Sequence, residues 1–220
     1  MMHEFFQHLA LCHTVAVDVN KEKGTRNMLA TSPDELALIE GAKWGGYAFA
    51  ARNSQYVGME NAHTKMKEIY EVLQEFPFDA ERKRMSVLVR KRNDKQIFLL
   101  SKGAESVMFP RISGLSPKEL ADVDDQVYNF ASKGFRVMVM AKRSVDEALY
   151  FKWLQRFDEV RLTFHESKQQ RLHELYDELE QELTFLGSTA VEDKLQEDVP
   201  ETIKHLLDAN IRLWVLTGDR

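Results

Sequence analysis

Phe78, Lys83 and Lys102 have the types and spacing to hold a flat ligand that carries phosphates. An aromatic face stacks on a π-system, and ammonium groups neutralise phosphate oxygens. These residues fall at the ends of two apolar runs, Met85–Arg92 and Lys95–Ser101, which are rich in Val, Ile, Leu and Phe. Asn93-Asp94 lies between the runs, so the pattern predicts a β-hairpin with a two-residue turn. Such a hairpin draws the ring and both lysines together, and a nucleotide is the ligand class that uses all of them. The same residues also permit a plainer reading, with the ring in the core and the lysines protecting an edge strand.

The elements that must position these groups fit in one chain of modest size. At 220 residues it can build one substantial core, or one domain with a piece of another. A formal charge of −5 argues against non-specific nucleic-acid binding as the main activity. The single cysteine, Cys12, excludes an intrachain disulfide and fits a reducing compartment. No apolar run approaches the roughly 18 residues that span a bilayer. The opening MMHEFFQHLALCHTVAV lacks a basic leader and is broken by His8 and His13, so it reads as structure and not as a signal peptide.

Taken in order, Phe5–Val15 predicts a short helix followed by an extended piece. His3, His8 and His13 fan around that helix and do not share a face, which is poor spacing for a metal. Residues 16–30 read as an exposed loop. Ser32, Pro33 and Glu35 form a predicted capping box that opens a helix ending near Gly45-Gly46, with a strand at Tyr47–Arg52. Residues 54–75 fit helix or strand. A short helix is expected over Glu105–Ile112 and a longer one over Leu115–Lys133, closed by Gly134. A strand over Phe135–Lys142 then carries Arg136 at its entrance. Further capping boxes at Ser144–Glu147 and Thr163–Glu166 predict helices to Asp158 and over 165–183. The last part predicts strand Phe185–Val191, a polar connector, helix Pro200–Ala209 and strand Ile211–Leu216 in a parallel β-α-β layout. Thr217-Gly218-Asp219 follows that last strand, where open α/β sheets place ligands, and the stop just after it reads as a truncation.

The sequence holds no Gly-x-x-x-x-Gly-Lys-Ser/Thr loop, no Gly-x-Gly-x-x-Gly after a strand, and no evident Ser–His–Asp or Cys–His arrangement. A bound nucleotide must therefore be held by side chains on a sheet. The blocks SPDELAL, FDAERKRMSVLVR, SKGAES, GFRVMVMAKR, VEDKLQEDVPETI and LTGD, in this order, resemble the nucleotide-binding domain of P-type ATPases. LALCHTV, SPDE, RKRMSV and EDKLQEDVPETI are most similar to the P4 branch, the phospholipid flippases.

That resemblance implies an α+β fold, an antiparallel sheet flanked by helices, over residues 1–184. Residues 185–220 would be a hinge and a partial β-α-β piece of a doubly wound phosphorylation domain. It assigns Glu35 to the adenine side, Phe78 to stacking on the ring, Lys83 and Lys102 to the pocket, and Arg136 to the phosphates. Thr217, Gly218 and Asp219 match the element that meets the terminal phosphate near Mg²⁺. The implied ligands are ATP and Mg²⁺. The implied setting is the cytoplasmic part of an integral membrane ATPase, whose phosphorylation, actuator and membrane domains are partners. Phospholipid would be met only through the membrane domain, an accessory subunit would be a further partner, and no nucleic acid is involved.

Two departures qualify the match. Ala80 stands where flippases commonly carry serine. The Asp-Lys-Thr-Gly-Thr segment with the phosphorylated aspartate is absent from the sequence, as are the later GDGxND motif, the actuator TGE loop and membrane helices. The expectation is a chain that binds ATP without turning it over. The same domain of a cation pump, or an interaction module docking a partner through helix 165–183, are the alternatives.

Overall fold

A computed structural model describes residues 2–20, 25–30, 32–163, 167–193 and 196–216. The chain begins with α1 (Met2–Leu11), the hairpin of β1 (Ala16–Asn20) and β2 (Thr25–Leu29), and α2 (Pro33–Trp44). Then come β3 (Tyr47–Arg52), β4 (Tyr56–Asn61), β5 (Met66–Asp79), β6 (Arg84–Lys91) and β7 (Ile97–Gly103). After them follow α3 (Glu105–Met108), a 3₁₀ turn over Phe109–Arg111, β8 (Ile112–Ser113), α4 (Pro117–Ala131) and β9 (Arg136–Val145). The remainder is α5 (Glu147–Leu162), α6 (Lys168–Leu179), β10 (Leu183–Val191) and α7 (Val199–Asp208).

The main sheet has eight strands in the order β3-β4-β5-β6-β7-β9-β10-β8. Its neighbours are antiparallel except for β8 beside β10. Side chains alternate across a sheet with period two, and here that alternation sorts the central strands into two cores. Val87, Val89, Leu100 and Met140 face α1 and α2, packing with Leu9, Leu11, Leu38 and Ile39. Leu88, Leu99, Val139 and Ala141 face the other way, onto Trp153, Phe157, Leu175 and Leu179 of α5 and α6. The expected α+β fold, an antiparallel sheet flanked by helices, is the one found.

The departures from expectation have local causes. Asn93-Asp94 lacks the glycine that a two-residue turn favours, so the β6–β7 connection is longer. Lys91 N donates to Gln96 O at 2.8 Å, and Lys95 takes the positive φ of 58°. Residues 16–20 and 25–29, expected as loop, pair as a small sheet of their own. The ambiguous stretch 54–75 is β4 and most of β5. Ser116 and Glu119 form the capping box that opens α4. At the next helix, Asp146 takes the cap expected of Ser144, because β9 runs on through Val145. Thr163 closes α5, and Glu166, its expected capping partner, lies outside the described residues.

Among the described residues the parallel β-α-β layout is not formed. β10 is a strand as predicted, but it lies antiparallel to β9, with Thr184 opposite Lys142 and Val191 opposite Arg136. That pairing joins β10 to the main sheet, and its parallel partner there is the short β8, with Leu183 opposite Ile112 and Thr184 opposite Ser113, not a strand following α7. Ile211–Leu216 is not a strand. Trp214, Val215 and Leu216 are exposed, and among the described residues no neighbouring strand supplies the hydrogen bonds an isolated strand cannot make for itself.

Candidate ligand-binding site

At one end of the main sheet, on the α2 side, a cavity of about 860 Å³ is lined by Thr14, Ser32, Asp34, Glu35, Pro77, Phe78, Lys83, Met85, Lys102, Gly103, Ala104, Arg136, Val137 and Met138. Glu35, Phe78, Lys83, Lys102 and Arg136, all named from the sequence, are therefore brought to one place. Thr217, Gly218 and Asp219 lie outside the described residues.

Phe78 reaches the cavity through a bulge. The register between β5 and β6 shifts between Phe76 and Asp79, so Pro77 and Phe78 together oppose Met85. An unbroken strand would have sent Phe78 to the same face as Phe76, which is sealed against Trp153 and Tyr176. A bulge re-aims a side chain, and proline, lacking a donor, is tolerated there. The ring ends 67% exposed. Its stacking face is open, and the reading of it as a core ring fails.

The basic cluster Arg82-Lys83-Arg84 is split. Lys83 takes a positive φ of 50° in the turn that Asp79 organises by accepting from Glu81 N at 2.8 Å and Arg82 N at 3.1 Å. Its side chain is exposed at the cavity, with no ion pair among the described residues. Arg82 and Arg84 turn to the opposite face and close on Glu180, at 2.5 and 2.7 Å. Ser86 Oγ donates to the same carboxylate at 2.6 Å. Those two arginines therefore staple the end of α6 to the sheet.

Lys102 lies on β7 opposite Met85, and its Nζ is 3.0 Å from Glu35 Oε1, with both side chains buried. Glu35 also accepts from Thr14 N and, at 2.8 Å, from Thr14 Oγ1. The predicted capping box at Ser32 is thus half made: Ser32 Oγ accepts from Asp34 N, while Glu35 turns away to Lys102 and Thr14. A buried ammonium is a stronger attraction for a carboxylate than an exposed backbone N–H. Burial pushes the Glu35 carboxyl up, but the Lys102 ammonium and the Thr14 hydrogen bonds outweigh it and leave the pKa below its ordinary value.

At the rim, Arg136 Nη1 donates to Asp34 Oδ2 at 3.1 Å, and Nη2 donates to Asp193. Asp34 Oδ1 is buried, with no hydrogen-bond partner among the described residues. Pro77, Met85, Val137 and Met138 supply apolar surface.

The sequence reading missed Asp34, Thr14, Met85 and Met138. Strand alternation places Met85 and Met138 on the face of Lys102, so the register would have revealed them. Thr14 and Asp34 carried no signal of their own. Of the three histidines expected to fan around one helix, only His3 and His8 lie on it, since α1 ends at Leu11 and His13 follows. His8 and His13 are buried on backbone carbonyls of Ser101 and Ala10, and burial pushes each pKa down to about 3. Buried Cys12 has its thiol pushed up to about 12, so it is inert at neutral pH.

A mostly antiparallel sheet with helices on both faces and, at its end, a largely apolar cavity edged by charged side chains defines an α+β domain with a candidate ligand site. The chain belongs to the family described as P-type ATPase, cytoplasmic domain N, whose model matches residues 1–198. It is similar over its whole length to phospholipid-transporting ATPase 10 of Arabidopsis thaliana, at 38% identity, and covers 19% of that protein. Phospholipid-transporting ATPase ID of Mus musculus is 39% identical over 99% of the chain, which spans 18% of that relative. Among the described residues, no helix is long and apolar enough to cross a membrane.

Proposed function

We propose that the chain binds ATP in this cavity, with the adenine ring on Phe78 and the phosphates reaching towards Lys83 and Arg136. The observation that carries the reading is the convergence of an exposed ring, an ammonium with no ion pair among the described residues and a guanidinium on one cavity with an apolar floor. The cavity has the few hundred Å³ or more that small ligands need. Polar lining residues such as Thr14 and Ser32 offer contacts to an exocyclic amine or a ring nitrogen. Stacking on Phe78 tolerates any purine, so preference among bases falls to such polar contacts.

Lys102 and Glu35 act here mainly on each other. Their part is to build the wall against which the base lies, and Lys102 adds positive potential. Mg²⁺ fits as the counter-ion of the phosphates. The cavity's own carboxylates, Asp34 and Glu35, are already engaged by Arg136 and Lys102.

Within a longer parent, the proposed role is to carry ATP–Mg²⁺ to an aspartate outside this chain. Aspartyl-phosphate turnover there would drive phospholipid between leaflets, with this domain on the cytoplasmic side. Thr217, Gly218 and Asp219 are proposed to meet the terminal phosphate. Residues beyond β10 are proposed to begin the phosphorylation domain, whose remainder would cover exposed Ile203, Leu207 and Ile211–Leu216. An accessory subunit of the parent is part of the same proposal.

The test is calorimetric titration of the folded chain with ATP, ADP and adenosine. Saturable binding that Phe78→Ala weakens by about ten-fold or more supports the reading. A well-folded chain that takes no adenine nucleotide at millimolar concentration sinks it and leaves an interaction module in its place.

A further inference from the structure

Arg136 ties the cavity to the chain's exit from the sheet. It opposes Val191, the last paired residue of β10, and its guanidinium reaches past that pair to Asp193. Its other nitrogen is held by Asp34 on α2. A phosphate that approaches Arg136 therefore meets a guanidinium whose fork is already engaged by two carboxylates. One of them must yield for the ligand to take a bidentate grip.

The two partners are unequal. Asp34 is fixed in the first turn of a helix, with its side chain 19% exposed. Asp193 lies beyond the strand, with its side chain 65% exposed, so its pair with Arg136 is well solvated and weak. We propose that Asp193 competes with the ligand's phosphates for Arg136, so that filling the cavity releases the segment that leaves β10. By linkage, whatever pulls Asp193 away from Arg136 tightens nucleotide binding by the same factor. Asp193 thus sets affinity and couples the cavity to whatever the chain leads into. The inference rests on the nucleotide reading above.

The experiment compares wild type with Asp193→Asn by titration with ATP and adenosine. It adds amide hydrogen exchange of the segment after β10, with and without ATP. Removing an exposed competing charge is expected to tighten ATP about two- to five-fold at low salt, leave adenosine unchanged, and lose its effect as salt rises. ATP should raise exchange after β10 in wild type, whereas Asp193→Asn should start raised and respond no further. ATP affinity that is equal or weaker in Asp193→Asn overturns the proposal, as does an equal gain for adenosine. ATP binding weakened in Phe78→Ala but indifferent to Asp193→Asn removes only this inference. No ATP binding by wild type removes both readings.

Discussion

Replacing Lys102 by methionine keeps the length of the side chain and removes its ammonium from Glu35. In the wild type the two charges are 3.0 Å apart, with side chains 8% and 7% exposed. Breaking a buried pair by deleting one partner costs about 3–5 kcal/mol, because the remaining charge stays buried. The lower end applies here, since the pair lines an open cavity and Thr14 still donates to Glu35 from both its amide and hydroxyl. About 3 kcal/mol corresponds to a fall in Tm of roughly 6–12 °C for a chain of this size.

The sign of the pH dependence follows from Glu35. In the wild type its pKa is lowered, so the pair stabilises above the unfolded value and fades as pH falls through the folded one. In Lys102→Met, burial pushes the carboxyl up with less to oppose it, so a proton restores the variant as pH falls. The gap between the two proteins should therefore narrow from about pH 8 to about pH 5.5. His8 and His13, both neutral in the fold, lower the stability of either protein alike and cancel in the difference. Denaturant unfolding at the two pH values measures the gap, and the double variant Glu35→Gln/Lys102→Met should recover most of the loss. A gap independent of pH, or a double variant no better than the single, refutes the reasoning.

Phe78→Ala should weaken ATP by about ten-fold or more, as loss of a stacked base implies, and barely move Tm because the ring is exposed. Calorimetry and thermal unfolding on one sample separate the two effects. Gly103→Ala should cost about 1–3 kcal/mol, since its Cβ would meet Arg84 Cβ at 2.6 Å and Lys83 O at 2.7 Å. Those atoms belong to the strand end that carries Lys83, so denaturant melts and ATP titration should both register the change. Glu180→Gln should cost at least about 3 kcal/mol in chemical denaturation, because Arg82 and Arg84 lose their shared buried charge.

The apolar runs Met85–Arg92 and Lys95–Ser101 were enough to read the two central strands, because strands buried on both faces are apolar nearly throughout. The site was legible to the extent that its residues sit on those strands or at helix starts. Glu35 shows where local rules stop. Ser-x-x-Glu ahead of an apolar run is a complete capping signal, and Ser116 and Glu119 obey it. At Ser32 the same signal competes with Lys102, far along the chain but one hydrogen bond away in space. No local pattern encodes that distance. The parallel layout expected around β10 failed for the same reason: its residues specify a strand, but β9 decides that it runs antiparallel.

Arg82-Lys83-Arg84 carries this further. Read along the chain it is one basic patch. In the fold, Lys83 turns away at the positive φ of the β5–β6 turn, while the arginines on either side of it close on the opposite face. Glu180 waits on the arginines' side, fully buried, so two cations go to structure and the remaining one to the cavity. Lys83 becomes available for a ligand because its neighbours are neutralised elsewhere, not because three charges act together. On the proposed reading, a phosphate at this cavity would meet Lys83 and Arg136, and its affinity should follow those two groups and the carboxylates that hold Arg136.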